Sequence, residues 1–195
     1  MKDFKPAILL FVALTVICGG VYPAAVTLVA GIAFPRQAAG SFVNDPSGHV
    51  IGSSLIGQPF SDPKYFWPRP SATGPFGYNP GGSSGANLGP TNPAFLAAVA
   101  DRVAAQRAAG VSGAVPSDLV LASGSGLDPH VTPAGARAQV ARVARARGLG
   151  EEELEGLVTS RIEERQLGIL GEPRVNVLLL NLALDARATG KDVPR

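Results

Sequence analysis

Residues Ala7 to Phe34 read AILLFVALTVICGGVYPAAVTLVAGIAF, a stretch without a single charged side chain. As a helix it would be about 42 Å long, while the hydrocarbon core of a bilayer is about 30 Å thick. The stretch therefore predicts one transmembrane helix over residues 7–34, tilted or with its ends in the headgroups. It divides the chain into a short tail over residues 1–6, the span itself, and a soluble domain over residues 35–195.

A line of small residues runs along one side of the predicted helix. At about 100° per residue its members fall within a narrow arc. Transmembrane helices associate through small residues, because lipid supplies no hydrophobic force between them. The line is therefore a candidate packing face, or else a chance result of a composition with 24 glycines. The Gly19-Gly20 pair and Pro23 also predict a bend. The candidate packing face consists of Ala13, Gly20, Ala24, Thr27 and Gly31.

A cleaved signal peptide is the alternative for the same stretch. Lys2 and Lys5 precede it, and cleavage after Ala24 would release a secreted binding module. However, the apolar run continues well past Ala24, where a secreted protein would be polar. A lipoprotein attached through Cys18 is disfavoured because the preceding Ile17 is bulky. The length of the apolar run favours an uncleaved anchor.

The charges at the two ends of the span predict its orientation. Lys2, Lys5 and the terminal amine outweigh Asp3, whereas only Arg36 lies close to the other end. Positively charged flanks stay in the cytoplasm. We therefore expect residues 1–6 to be a cytoplasmic tail and the domain to be extracytoplasmic.

Composition excludes several classes of function. The chain has 195 residues and a net charge of +2, with no basic patch that would indicate nucleic-acid binding. The one cysteine, Cys18, lies in the span, so the domain is expected to have no disulfide and no cysteine metal site. His49 and His130 are the only histidines and lack an acidic cluster beside them, so no metal site is expected. The glycines of residues 81–89 are not followed by Gly-Lys-Ser, which argues against a phosphate-binding loop.

The domain itself is predicted to be a mixed α+β fold. Phe42-Val43 and Val50-Ile51 flank a turn sequence and predict a hairpin. Leu55-Ile56 is expected to extend that sheet, and Leu119 to Leu121 to form a short buried strand.

Capping residues and apolar spacing predict four helices in the domain. Asn92-Pro93 and Thr132-Pro133 begin the first two, which end near Gly110 and Gly148, and Gly150 precedes the third. The residues from Val175 to Leu184 are assigned to a last helix capped by Asn176, although their alternation also permits a strand. Side chains expected to face inward are Leu96, Val99, Val103, Val140, Val143, Leu154, Leu157, Val158 and Ile162, and those expected to face outward are Arg137, Arg142 and Arg145.

The segment from Pro59 to Pro93 is rich in proline, glycine and aromatic residues at once. Its eight prolines and six glycines exclude a long helix or a central strand. Its aromatic residues argue against a disordered linker, so we expect an ordered loop. These side chains either pin the loop to its own core or form a surface that contacts a partner. The candidate contact residues are Tyr65, Phe66, Trp67, Arg69, Phe76 and Tyr78.

The segment SGSGLDPH places a hydroxyl, a carboxylate and an imidazole within eight residues. One hypothesis is therefore a membrane-anchored extracytoplasmic hydrolase that uses Ser125 and His130. Against it, Asp128 and His130 are separated only by Pro129, and no Gly-x-Ser-x-Gly elbow is present. The favoured interpretation is a tight structural loop. Its residues are Ser123, Gly124, Ser125, Gly126, Asp128 and His130.

Five motifs, in a fixed order, resemble one known family. They are GSSLIGQPF (52–60), YFWPRPSAT (65–73), NLGPTNP (87–93), DLVLASGSGLDPH (118–130) and GEPRVNVLLLN (171–181). Together with the single anchor they resemble the C subunit of the Kdp potassium-transporting P-type ATPase, over nearly the whole chain. The sequence departs from that pattern at GGSSGA (81–86) and at Leu121.

The resemblance implies a non-catalytic accessory subunit of an ATP-driven, high-affinity potassium uptake pump in the bacterial inner membrane. The implied partners are a channel-like A subunit, a P-type ATPase B subunit and a small F subunit, besides the lipid bilayer. A helper role that raises the ATP affinity of the catalytic subunit is also implied, so ATP would act only through that subunit. Because the domain is expected outside, we expect it to cover the outer mouth of the channel-like subunit.

Overall fold

The structure is a computed structural model that describes residues 3–45 and 47–189. The chain divides into two compact units, Met1–Ser53 and Ser54–Arg195. The unit boundary therefore falls after the hairpin, which belongs with the N-terminal helix and not with the rest of the domain expected from residue 35. Lys2 lies outside the described residues.

The first unit is dominated by one long apolar helix. Helix α1 (Phe4–Val16), a π-helical turn (Ile17–Val21) and helix α2 (Tyr22–Ala33) follow one another without a break. Together they form the one helix of the described chain that is long and apolar enough to cross a membrane, Phe4–Ala33. A helix is therefore present at the predicted span and begins three residues earlier than expected, which makes it a candidate membrane span.

The π-helical turn lies where the sequence predicts a bend. The Tyr22 N–H bonds to the carbonyl of Ile17, five residues earlier. Pro23 has no N–H, and in an α-helix its ring would collide with the carbonyl of Gly19, four residues before it. A wider turn relieves that collision, which accounts for the position of this irregularity.

A β-hairpin follows the short helix α3 (Pro35–Ala38). Strands β1 (Phe42–Asn44) and β2 (Val50–Ser53) pair antiparallel, with Val43 opposite Gly52. Asp45 Oδ1 accepts hydrogen bonds from the backbone N–H groups of Ser47 and His49, at 2.8 and 2.9 Å. The predicted hairpin is confirmed. Its extension through Leu55-Ile56 is wrong, because these residues lie in a turn after β2.

The second unit is a mixed α/β domain, as predicted. Its short antiparallel sheet has the strand order β3-β5-β4, so the last strand in sequence is the central one. Val175 of β5 lies between Val131 and Ile162. The elements are α4 (Pro93–Ala108), a 3₁₀ turn (Ser117–Leu119), β3 (His130–Val131), α5 (Pro133–Arg137), α6 (Val140–Arg147), α7 (Glu151–Ser160), β4 (Ile162–Glu163), β5 (Arg174–Asn176) and α8 (Val177–Thr189).

The predicted helix ends are confirmed by their capping geometry. Asn92 Oδ1 accepts from the N–H of Ala94 at 2.9 Å, and Thr132 Oγ1 accepts from the N–H of Gly135 at 2.9 Å. Gly148 ends α6 with a φ of +67°. The second predicted helix is interrupted, since α5 ends at Arg137 and α6 begins at Val140.

The segment 175–184 contains both structures that its pattern permits. Val175 and Asn176 belong to β5, and α8 begins at Val177. Asn176 caps that helix, since its Oδ1 accepts from the N–H of Leu179 at 3.1 Å. The predicted last helix is confirmed from residue 177 onward.

One hydrophobic core lies between the sheet and the helices of the second unit. The predicted inward residues Val140, Val143 and Val158 are buried, and Ile162 packs against them from the edge. Leu96 of α4 is half-exposed, so its predicted burial is wrong; Gln106 is the buried residue of that helix. The buried core residues are Phe66, Leu119, Val131, Ala136, Val140, Val143, Ala144, Leu154, Leu157, Val158, Val175, Val177, Leu180, Ala183 and Leu184.

The strand predicted over Leu119 to Leu121 is wrong. Ser117–Leu119 forms a 3₁₀ turn, and the N–H of Leu121 bonds back to the carbonyl of Ser117 at 2.8 Å. Both edges of β5 are occupied by β3 and β4, so no ladder partner remains at the centre of that sheet. Leu119 and Val120 are buried as predicted and Leu121 partly so, but the N–H groups of all three bond to carbonyls of Pro116 and Ser117.

Candidate functional site

The proline-rich segment, residues 54–92, contains no helix or strand and is ordered by buried side chains instead. The amide of Asn181 accepts from the N–H of Phe66 at 2.8 Å and donates to its carbonyl at 2.9 Å. The amide of Gln139 does the same for Trp67, at 2.7 and 3.1 Å. Two side chains thus replace the ladder that a neighbouring strand would provide, which fixes the register of the loop on α8 and α6.

A buried arginine completes this anchorage. Arg142 Nη1 donates to the carbonyls of Pro63 and Tyr65, at 2.6 and 3.0 Å, and Nη2 donates to Gln139 Oε1 at 2.7 Å. Its guanidinium stacks on Trp67, 3.9 Å from the ring centroid. Arg142 is only 8% exposed, so the prediction that it faces outward is wrong. Burial lowers the pKa of Arg142 to about 10, which leaves it charged at neutral pH.

A second arginine of α6 holds the same loop from the rim. Arg147 Nε donates to the carbonyl of Lys64 at 2.8 Å, and its Nη2 donates to Asp185 Oδ1 at 2.7 Å. The guanidinium carbon of Arg147 lies 4.8 Å from the centroid of the Tyr65 ring. The Tyr65 hydroxyl donates to Asp185 Oδ2 at 2.9 Å. Burial and the Asp185 carboxylate raise the pKa of Tyr65, so its hydroxyl remains a donor.

The second half of the loop packs against the SGSGLDPH segment. Ser71 Oγ donates to the carbonyl of Gly126 at 2.7 Å and accepts from the N–H of Tyr78 at 2.9 Å. The Tyr78 hydroxyl donates to the carbonyl of Arg69, and burial raises its pKa. A Cβ at Gly57 would come within 2.4 Å of the Tyr78 ring. This layer therefore has no space for a larger residue at position 57.

A row of polar and charged side chains leads from the loop to the sheet. Arg69 Nη1 lies 2.9 Å from Asp128 Oδ2, and Asp128 Oδ1 lies 3.2 Å from His130 Nδ1. His130 Nε2 is 3.9 Å from Glu163 Oε2, which also accepts from Arg174 Nε at 2.9 Å. Burial alone would raise the pKa of Asp128, but the hydrogen bonds from His130 and Arg69 outweigh it and lower the pKa. Asp128 is therefore a permanent anion at neutral pH that holds two segments together.

Ser125 is engaged in a turn. Its Oγ accepts from the N–H of Leu127 at 3.1 Å, and its carbonyl accepts from Ser84 N and Ser83 Oγ, both at 3.0 Å. No hydrogen bond joins Ser125 to His130 within the described residues. The hydroxyl therefore lacks the general base that a serine nucleophile needs.

The neighbouring glycines have different roles. Gly126 has a φ of +68°, and a Cβ there would lie 2.5 Å from Thr73 Cγ2 and 2.7 Å from the carbonyl oxygen of Ser84. Gly124 is exposed, with open space where a Cβ would point. Ser123 is buried, and its N–H donates to the carbonyl of Pro70 at 3.2 Å. The segment has the geometry of a structural loop.

The candidate contact aromatics do not share one environment. Phe66 is fully buried and Tyr78 nearly so, while Tyr65 and Trp67 are partly covered by arginines. Phe76 is 59% exposed at the outer turn of the loop. Most of these side chains therefore hold the loop in place, and Phe76 is the one available to a partner. That this loop contacts a partner stays a prediction.

The small residues of the apolar helix face open space. A Cβ at Gly20 or at Gly31 would meet no atom within 4 Å. The π-helical turn adds about one residue to the helix, which rotates the positions after it by about 100° relative to those before it. Ala24, Thr27 and Gly31 share one side of α2, whereas Ala13 precedes the turn and Gly20 lies within it.

Comparison with known proteins identifies the family of this chain. A family model described as KdpC, the c chain of K⁺-transporting ATPases, matches residues 4–186. A potassium-transporting ATPase KdpC subunit of Geotalea uraniireducens is 63% identical over 95% of this chain and 98% of its own length. KdpC subunits of Geobacter sulfurreducens and Methylococcus capsulatus are each 60% identical, again over 95% of this chain and 98% of their own length. The chain belongs to the KdpC family.

Membership of the KdpC family confirms the resemblance carried by the five sequence motifs. As a KdpC chain the protein is a subunit of a potassium-transporting ATPase and not its catalytic chain. The hydrolase alternative with Ser125 and His130 is not supported, and the geometry of Ser125 agrees with this. Within residues 3–45 and 47–189, no three histidine, cysteine or acidic side chains come together as metal ligands.

Sequence reasoning missed the residues that hold the loop of this KdpC chain. Gln139 and Arg142 lie three apart and hence on one side of a helix, next to the apolar stripe at Val140 and Val143. That spacing is the only signal for their burial. Asn181 is the final residue of the fifth family motif, but nothing in the sequence links it to Phe66, 115 positions earlier.

Proposed function

We propose that this chain is the single-pass accessory subunit that supports assembly and activity of a high-affinity potassium uptake pump. Its partners in this proposal are the channel-like A subunit, the P-type ATPase B subunit and the small F subunit. The observation that carries the proposal is the family match over residues 4–186, which includes the membrane-spanning helix as well as the domain. A chain related over its whole length has both the anchor and the domain that such a role requires.

The test of this proposal is copurification with a defined surface variant. A tagged chain should recover the channel-like and ATPase subunits from membranes in mild detergent. Phe76→Ala should reduce that recovery several-fold without changing the melting temperature, because Phe76 is exposed and packs on no core. Leu96→Ala, at a half-exposed position on α4, is the matched control and should leave recovery unchanged. Absence of a P-type ATPase from the purified material would refute the proposal itself.

The proposed location is the bacterial inner membrane, with the N-terminus in the cytoplasm and the domain outside. The charges of Lys2 and Lys5 support this orientation. Lys191, an obvious site for a topology probe, lies outside the described residues, and Ser112 is a suitable exposed alternative. In a Cys18→Ala background, Ser112→Cys should react with a membrane-impermeant maleimide in intact spheroplasts. Reaction only after lysis would place the domain in the cytoplasm.

ATP is proposed to act only through the catalytic subunit. If the domain is outside, a helper effect on ATP affinity must be transmitted through the partner subunits and not by direct contact. Photolabelling of the purified complex with an azido-ATP analogue should then modify the catalytic subunit and leave this chain unlabelled. Specific labelling of this chain, competed by ATP, would contradict both the orientation and the absence of its own nucleotide site.

A further inference from the structure

An exposed apolar tip lies between strands β4 and β5, at residues 166–170, which we call the hairpin tip. Leu167 is 88% exposed, Ile169 74% and Leu170 55%. These three residues lie within four consecutive positions, and none of them belongs to the hydrophobic core of the described residues. Soluble surfaces rarely present several large aliphatic side chains together without a partner.

The backbone of the hairpin tip is unsuited to its sequence. Leu167 has a φ of +54° and Gly168 a φ of +76°. The left-handed region is natural for Gly, Asn and Asp but costly for a bulky side chain such as leucine. Leu167 gains no burial in return, since it is almost fully exposed. Neither local conformation nor core packing therefore accounts for leucine at this position, and such conflicts concentrate at functional sites.

Four backbone N–H groups of the hairpin tip are hydrogen-bonded to carbonyls of residues 165–170. Gln166 and Leu170 exchange both backbone hydrogen bonds, each at 2.9 Å. The N–H of Gly168 bonds to the carbonyl of Arg165 at 3.1 Å, and the N–H of Ile169 bonds to that of Gln166 at 3.2 Å. These bonds lower the cost of moving that part of the backbone toward an apolar medium, and the remaining backbone groups of the tip require a shallow position near the headgroups.

Charge and size indicate what covers the hairpin tip. Positions 167–170 carry no charge, and the flanking charges cancel, so an anionic surface would not repel the tip as a whole. A stable protein complex buries about 800 Å² on each partner, and three aliphatic side chains supply much less surface than that. They also lack the tryptophan, tyrosine or arginine typical of protein hot spots. The flanking charged residues are Arg161, Glu163, Glu164, Arg165, Glu172 and Arg174.

A short connection tethers the second unit to the apolar helix and therefore to the bilayer that would hold that helix. The apolar helix ends at Ala33 and the second unit begins at Ser54, so roughly 20 residues, at most about 70 Å when extended, connect them. A tethered surface contact needs only a few apolar side chains, because the anchor already supplies a high local concentration of lipid. We propose that Leu167, Ile169 and Leu170 insert into the headgroup–acyl boundary of the bilayer that holds the chain's own helix. This contact does not depend on which side of the membrane the domain occupies.

The experiment uses the full-length chain in liposomes with an environment-sensitive fluorophore. In a Cys18→Ala background, Leu167→Cys is labelled with NBD and reconstituted into phosphatidylcholine–phosphatidylglycerol vesicles. Replacing part of the lipid with a phosphatidylcholine that carries a nitroxide high on its acyl chain should quench the probe about two-fold or more. The matched control is the same probe at Leu96→Cys, a half-exposed leucine of α4, which should be quenched little. Adding Ile169→Ser and Leu170→Ser, both at exposed positions, should abolish the quenching at position 167 while circular dichroism stays unchanged.

Three results would overturn the proposal. The first is an unquenched probe at position 167 in vesicles. The second is equal quenching at position 96, which would mean that the whole unit lies on the membrane without a specific insertion. The third is protection of the probe only in the copurified ATPase complex, insensitive to the lipid nitroxide, which would assign the hairpin tip to a partner subunit.

Discussion

At the residue scale, the loop is held by polar side chains placed inside the core. Gln139 and Asn181 are both at least 98% buried, and each satisfies the N–H and the carbonyl of one loop residue. A buried amide is costly unless every polar atom is paired, so the arrangement stabilises only this one register of the loop. No sequence pattern predicts it, because both partners of each amide become neighbours only after the fold has formed.

Two of the three arginines of α6 provide a matched test of this anchorage. Arg142→Lys should lower the free energy of unfolding by about 2–3 kcal/mol, because lysine cannot reach two carbonyls and an amide together or stack on Trp67. Arg145→Lys, on the exposed side of the same helix, should change it by less than about 0.5 kcal/mol. Urea denaturation of the full chain in detergent measures both. Equal effects would mean that the contacts of Arg142 contribute nothing specific.

Asp128 gives the domain a predictable response to acid. Its pKa is lower in the folded chain than in the unfolded chain, so its contribution to stability is fully present above about pH 4 and is lost as the pH falls through the folded value. Asp128→Asn should therefore destabilise the chain at neutral pH, and the difference from wild type should shrink as the pH falls below about 4. Denaturation curves across this range check it. A difference that is independent of pH would show that the charge of Asp128 is not what joins Arg69 and His130.

At the element scale, the helix ends and the β1–β2 hairpin could be predicted from sequence, and the strands of the second unit could not. Asn92, Thr132 and Gly148 act within one turn of their own helices, so the local sequence contains the whole signal. The strands of the second unit are only two or three residues long, and which residues pair is decided by the order β3-β5-β4. Leu119 to Leu121 has the composition of a strand, but the sheet leaves it no central partner. Likewise, alanine-rich α4 has too weak an apolar stripe to show which side is buried.

The structural role of the SGSGLDPH loop can be tested by substituting its two glycines, Gly124 and Gly126. Gly126→Ala should cost more than about 2 kcal/mol, because the new methyl group meets Thr73 and a backbone oxygen at a positive φ. Gly124→Ala meets no atom within 4 Å and should change stability by less than about 0.5 kcal/mol. Thermal unfolding of the two variants gives the comparison.

Ser125→Ala extends this test to function. Ser125 Oγ accepts one exposed hydrogen bond, so its loss should cost at most about 1 kcal/mol and leave potassium uptake nearly intact. Uptake by cells that depend on the pump is the measurement. Loss of uptake by a variant that still folds and assembles would make the hydroxyl a chemical site after all.

At the scale of the whole molecule, the sequence shows the apolar helix, the position of its bend and the family motifs, but not that the bend is a π-helical turn. The span and its irregularity were predicted from length, glycine and proline, because these act through the local backbone. The π-helical turn then changes which residues share a side. Residues of α2 that are placed at about 100° per residue do share one side of the helix. The same spacing cannot be extended across the π-helical turn at residues 17–21, so Ala13 does not belong to that side.

The helix-packing prediction therefore rests on α2 alone. Small residues at positions 24, 27 and 31 would allow a helix of the proposed channel-like partner to approach closely, and large side chains there would separate the two backbones. Ala24→Leu with Gly31→Leu should reduce recovery of the partner subunits several-fold in mild detergent. Ala25→Leu with Ala30→Leu adds a similar volume on other sides of the same helix and should leave recovery unchanged. If both pairs of substitutions had the same effect, the small residues would reflect composition only, and the domain alone would hold the complex together.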